Sequence, residues 1–211
     1  MRQGNPPCVG QRFHIFQIGL DQMIDKLFHI INKFGRLTYG EDITQIEHAL
    51  QCAQLAREDR AADTLIAAAL LHDIGQFIDD AGNAAEQRGI DARHEVIGAA
   101  FLATAFPDSV TEPVRMHVEA KRYLCASEPG YRSALSRASE LSLQLQGGPM
   151  TTAEASAFAQ ARFFEEAIRL RRYDDTGKRK NWAVSELESY RPLLERLIGD
   201  RAARETSDGR N

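Results

Sequence analysis

The stretch that decides the fold is Asp63-Thr-Leu-Ile-Ala-Ala-Ala-Leu-Leu-His-Asp-Ile-Gly75. Its alanines, leucines and isoleucines are apolar nearly all round, and Asp63 can cap its start. A helix with no polar face belongs in the centre of a domain, so the neighbouring elements must wrap it. The two polar residues at its far end, His72 and Asp73, would be costly to bury there unless paired or bound to a metal. Adjacent residues on a helix point about 100° apart, so shared work by the pair requires a helix end, and Ile74-Gly75 supplies one.

Outward from this centre the patterns are helical. Residues 21–34 place Met23, Ile24, Leu27, Phe28, Ile30, Ile31 and Phe34 at helical spacing, with Gly35 as a stop. Leu37 to Glu41 reads as a loop. Thr44 and Glu47 form a T-x-x-E capping box that opens a helix through about Arg57. Beyond the polar loop 79–89, Asp91 caps a helix that carries His94 and runs to Pro107. Further helices are expected over about 113–124 and 132–145, then from Thr151 to about Tyr173 and from Ser185 to Ile198, with a turn at Gly147-Gly148-Pro149. No strand pattern or internal repeat stands out. The expectation is a single all-α domain, a helical bundle of about seven to nine helices: an N-terminal extension over 1–20, the domain over 21–200 and a polar tail over 201–211.

Composition sets the outer limits. The chain has 211 residues, 43% hydrophobic and 27% charged, enough for a full core without disulfide staples. No apolar run approaches the roughly 18–20 residues of a membrane span, and the N-terminus lacks the apolar stretch of a secretory signal, so a cytoplasmic protein with no membrane partner is expected. A net charge of -4 argues against nucleic acid as a partner. Cys8, Cys52 and Cys125 form no redox or zinc pattern and read as buried or incidental thiols in a reducing compartment.

Of the 6 histidines, His14 and His29 have no visible partner. The others fall on successive expected helices, His72 being 24 residues after His48, His94 22 after His72, and His117 23 after His94. They converge only if those helices pack with these faces inward, and a metal centre is the natural reason. His48, His72, Asp73 and Asp174 would complete one ion. His94 and His117, with Asp73 bridging, would hold a second. Six ligands for two ions leave positions open for water, substrate or dioxygen. Arg171 and Lys178 lie three residues before and four after Asp174 and share its face, which favours Asp174 over the alternative Asp175.

The pattern His48, His72-Asp73, Asp174 resembles the HD-domain superfamily, all-α and mostly metal-dependent phosphohydrolases. The wider set, Tyr39-Gly-Glu41, Gln45-Ile-Glu47-His48, Ala69-Leu-Leu-His72-Asp73-Ile-Gly75, His94-Glu95, His117-x-x-x-Lys121 and Leu170-Arg171-Arg172-Tyr173-Asp174-Asp175-x-x-Lys178, resembles the small HD-domain mixed-valent di-iron oxygenases. The resemblance spans about residues 39–180. It implies two iron ions, Fe(II)/Fe(III), with O2 as co-substrate, and oxidative cleavage of the carbon–phosphorus bond of a small hydroxyphosphonate. With a 1-hydroxy-2-(trimethylammonio)ethyl or 2-amino-1-hydroxyethyl substrate, the products would be phosphate with glycine betaine or glycine.

The resemblance also assigns roles. Lys121, Ser139, Ser142 and Arg171 would grip the phosphonate, Arg as a planar fork and Lys as a point charge. Tyr39 and Glu41 would form a lid, the tyrosine occupying an iron position until substrate displaces it. Glu47 is either the partner of Thr44 or a counter-charge for a cationic substrate tail. Gln76 stands where some relatives carry His and would hydrogen-bond the substrate hydroxyl. Two other readings remain: hydrolysis of a nucleotide or phosphate ester by the same two metals, and a degenerate domain used as a ligand sensor.

Overall fold

A computed structural model describes the backbone over residues 9–38, 42–78 and 91–208, and side chains over 22–38, 42–78 and 91–201. These residues form ten α-helices, two 3-10 turns and no strand. The helices are α1 Val9–Phe34, α2 Gln45–Glu58, α3 Asp63–Leu71, α4 Gly75–Ile78, α5 His94–Leu102, α6 Asp108–Ser127, α7 Arg137–Leu145, α8 Thr152–Phe158, α9 Phe164–Thr176 and α10 Arg191–Asp208.

The apolar segment does sit at the centre. Every residue of α3 from Leu65 to Leu71 is buried, and the helix packs against α2, α6, α9 and α10. Ile24, Leu27 and Ile31 of α1 and Leu194 of α10 close the same core. A smaller apolar cluster, Met116, Ala120, Met150, Phe158 and Ala167, fastens α8 to α6 and α9.

Several boundaries differ from expectation, each for a local reason. α1 begins at Val9, so the expected division at residue 20 falls inside a helix. No proline interrupts that run, and a single glycine such as Gly19 costs only about 1 kcal/mol of helix propensity. α6 starts at Asp108, after an extended Pro107. Pro113 is therefore interior; it removes one hydrogen-bond donor from the ladder, while burial of Val110 and Val114 holds the turn in register.

The segment 132–145 divides into a 3-10 turn, Arg132–Ala134, and α7, because the Ser136 hydroxyl caps α7 through the amide of Ser139. The expected run from Thr151 to Tyr173 likewise divides into α8 and α9. Asp63 lies in the first turn of α3 rather than at its cap, and its carboxylate pairs with Arg196. The polar tail continues the last helix to Asp208.

Candidate metal centre and substrate cleft

Local structure presents each polar side chain. α3 stops at Leu71, so His72, Asp73 and Ile74 form a turn before α4. The turn frees the pair from helical geometry. Arg93, in the left-handed conformation with φ 49°, starts α5 and sets His94 at its first position. His48 comes from α2, His117 and Lys121 from α6, and Arg171 and Asp174 from α9.

These residues meet. His48 Nε2 stands 3.3 Å from His72 Nε2 and 3.3 Å from Asp174 Oδ1. Asp73 divides its oxygens: Oδ2 lies 3.4 Å from His72 Nε2 and 3.9 Å from His48 Nε2, while Oδ1 lies 3.3 Å from His94 Nε2 and 3.9 Å from His117 Nε2. His94 and His117 present their Nε2 atoms to each other at 3.2 Å. Asp175, by contrast, points away into contacts with Tyr131 and Arg171.

The tautomers are set from behind. His48 Nδ1 is 2.8 Å from the Gly177 carbonyl, His72 Nδ1 2.9 Å from that of Ala69, and His117 Nδ1 2.7 Å from that of Val114. Each carbonyl requires the proton on Nδ1, so Nε2 is the ring atom turned inward and, in the neutral ring, a lone pair able to ligate. Lone pairs facing each other at this separation repel unless a cation lies between them. Bonds of about 2.1 Å to a shared ion put neighbouring donor atoms roughly 3.0–3.4 Å apart, so the donor set fits metal ions. His94 is the exception, its Nδ1 facing Glu95 Oε2 at 3.8 Å.

Charge follows the same geometry. Burial pulls His72 down and, with the neighbouring imidazoles, takes His117 to about 3, so both are held neutral, the form that ligates. Burial works against His48 and His94 as well, but Cys52 and Asp174 beside the first, and Asp73 beside the second, raise both. Burial opposes ionisation of Asp73 and Asp174, but the surrounding histidines, and for Asp174 the Arg171 guanidinium, keep both carboxylates well below the usual range.

Cys52, read from sequence as a buried or incidental thiol, lies against this centre. It is fully buried, 3.7 Å from His48 Nδ1 and 3.8 Å from Nε2, and donates to the Tyr173 carbonyl. Although Cys52 could form a metal-holding group with His48 and His72, its contact with the flank of the His48 ring and its bond to Tyr173 make it a packing neighbour. Gly177 permits this fit, because a Cβ there would stand 2.7 Å from Cys52 Sγ.

A cleft opens over the cluster. Of the residues expected to bind substrate, Lys121, Ser139, Ser142, Arg171 and Gln76 line it. Lys121 is buried and donates to Ser142 Oγ at 2.6 Å. Lys178 also lines the cleft and donates to Ser139 Oγ at 3.2 Å; its spacing from Asp174 was the signal for it. Gln45, part of the motif before His48, and Gln146, which no sequence signal singled out, also line it.

Two expectations change. Glu47 is exposed and absent from the cleft wall; its carboxylate is bound by the amide and hydroxyl of Thr44, both at 2.7 Å, so it serves as a helix cap. Arg171 reaches the cleft, but its fork is engaged: NH1 donates to Asp174 Oδ2 at 2.6 Å, NH2 to Asp175 and Ser139, and Nε to Tyr131 at 3.0 Å. Tyr39 and Glu41 lie outside the described residues. Among the described residues, no helix is long and apolar enough to cross a membrane.

Residues 45–156 match the HD domain family. The chain is 45% identical over 180 residues to hydroxymethylphosphonate dioxygenase of Gimesia maris, covering 84% of this chain and 89% of that protein. It is 40% identical over 185 residues to the glycine-betaine-forming [1-hydroxy-2-(trimethylamino)ethyl]phosphonate dioxygenase of Leisingera caerulea, covering 87% and 94%. An uncharacterized protein of Acanthamoeba polyphaga mimivirus is 33% identical over 186 residues, covering 85% of each.

Proposed function

The chain belongs to the HD-domain family and, within it, to the phosphonate dioxygenases, and on that premise we propose that it oxidatively cleaves the carbon–phosphorus bond of a small 1-hydroxyphosphonate. The observation that carries this reading is the division of Asp73, one oxygen toward His48 and His72, the other toward His94 and His117, beneath a cleft that holds the buried Lys121. In this reading His48, His72, Asp73 and Asp174 hold one iron, and Asp73, His94 and His117 hold the other. When bound, the pair of ions would supply the redox chemistry with dioxygen and contact the substrate's hydroxyl and phosphonate oxygens.

The protein's own groups bind and orient. Lys121, with Ser142 at its ammonium, supplies a buried positive charge and a hydroxyl to the phosphonate. Lys178 and Ser139 make a second such pair on the same wall. Gln76 offers an amide to the substrate hydroxyl and cannot exchange a proton with it. The fork of Arg171 is engaged by Asp174, Asp175 and Tyr131, so the lysines rather than the arginine take the phosphonate. Both atoms of dioxygen enter the products: a 1-hydroxyphosphonate and O2 give a carboxylic acid and phosphate.

The test is anaerobic purification with metal analysis, followed by oxygen uptake and phosphate release. Hydroxymethylphosphonate, its 2-amino and 2-trimethylammonio homologues, and simple phosphate esters would be compared. The expected result is one phosphate per O2 consumed with at least one hydroxyphosphonate. Equal phosphate release without oxygen, or release from the esters alone, would overturn the reading in favour of hydrolysis.

A further inference from the structure

Arg171 is 3% exposed, and three side chains besides Asp174 share its guanidinium. Tyr131, from the segment before α7, accepts from Arg171 Nε at 3.0 Å and donates its own proton to Asp175 Oδ2. Asp175 in turn accepts from Arg171 NH2 through Oδ1. Arginine, tyrosine and carboxylate thus close a ring of hydrogen bonds with Arg171 NH1 left projecting onto Asp174 Oδ2 at 2.6 Å. The other oxygen of Asp174, Oδ1, is the one that faces His48.

We propose that Tyr131 and Asp175 are positioning residues, a clamp that fixes Arg171 and through it aims Asp174 Oδ1 at the metal ion shared with His48 and His72. This rests on the ligand assignment proposed above. The charge arithmetic supports it. A lone guanidinium on Asp174 would draw off the negative charge that the ion needs. Asp175 balances Arg171 first, so the guanidinium orients Asp174 while the carboxylate keeps its donor strength. Tyr131 fixes the plane of the fork, because Nε and NH2 are both engaged before NH1 reaches Asp174. Partners behind a ligand commonly change metal affinity about 10- to 100-fold. The contacts of His94 and His117, which would hold the second ion, run to each other, Asp73, Glu95 and the Val114 carbonyl and not to this ring, so the effect should fall on one ion only.

The experiment measures release of iron to a chelator from the full-length protein loaded anaerobically. The release phase belonging to each ion is assigned with Asp174→Asn and His117→Ala, which each remove a ligand from one side. Tyr131→Phe and Asp175→Asn should speed the phase that Asp174→Asn abolishes about 10-fold and leave the other unchanged. Asp175→Glu, which keeps the carboxylate, should restore most of the wild-type rate. Equal acceleration of both phases, or none, would overturn the clamp, and unchanged melting of the metal-free variants would exclude general loosening. If the wild type released no phosphate with oxygen while Tyr131→Phe still sped one phase, the oxygenase reading would fail and the clamp would stand. An active wild type with both phases untouched in the variants would sink the clamp alone.

Discussion

Gly75 lies so close to His94 that a Cβ built on it would stand 2.0 Å from the His94 carbonyl oxygen, and 2.7 Å from the amide of Gly98. This contact of backbone on backbone brings the His72-Asp73 turn against α5, and it is why Asp73 Oδ1 reaches His94 at 3.3 Å. Any side chain at Gly75 must push the two segments apart.

Gly75→Ala is therefore expected to destabilise the protein by about 1–3 kcal/mol, the usual cost of overpacking, and to widen the gap between Asp73 and His94. Thermal melting should show the first effect, and metal analysis a selective loss at the His94 and His117 side. A variant with full metal content and unchanged melting would refute the argument.

Asp73→Asn keeps the shape of the bridge and removes its charge. Because Asp73 is, among the described residues, the carboxylate that faces both imidazole groups, this variant should lose both ions, whereas His117→Ala should lose one. Iron per chain after desalting distinguishes the outcomes, and an Asp73→Asn protein that retains one tightly held ion would contradict the bridging role.

Lys121→Ala should retain both ions and lower turnover by about 10²- to 10³-fold, the scale expected for one preorganised charge at a reacting centre. Lys178→Ala, at the more exposed position, should mainly raise KM. Steady-state oxygen uptake with parallel metal analysis measures both. Loss of iron in Lys121→Ala would mean that the lysine supports the metal centre itself.

How much of this was legible in the sequence depends on the kind of interaction. The cluster could be found because His48, His72, Asp73, His94, His117 and Asp174 are polar residues at positions that helical packing turns inward, and burial of such groups demands a partner. The break of α3 at Leu71 was half visible in Ile74-Gly75, whereas the start of α6 was obscured by two prolines, Pro107 and Pro113, of which only the first begins the helix. The pairing of Arg171 with Asp174 was legible in their spacing, but its engagement by Tyr131 was not. Tyr131 lies 40 residues before it, in a turn whose position depends on packing, and no local pattern announces that pairing. Glu47 showed the reverse: its local signal, the capping box with Thr44, matches the contacts its carboxylate makes.

The same capping chemistry predicts acid behaviour. Glu154 is held at about 2, chiefly by the amide and hydroxyl of Thr151 and then by Arg122, while Glu47 is lowered by Thr44. A carboxylate with a depressed folded pKa contributes stability that is complete above its unfolded value, about 4.3, and is lost as pH falls through the folded value. Between about pH 4.3 and 2 the Glu154 contribution should therefore drain away, and α8, with its packing on α6, should loosen. Glu154→Gln removes the titrating group but can still hydrogen-bond the Thr151 amide. Its melting temperature should be lower than wild type at neutral pH and converge with it toward pH 2. A difference between the two proteins that stays constant across this range would show that the carboxylate's charge contributes nothing to the cap.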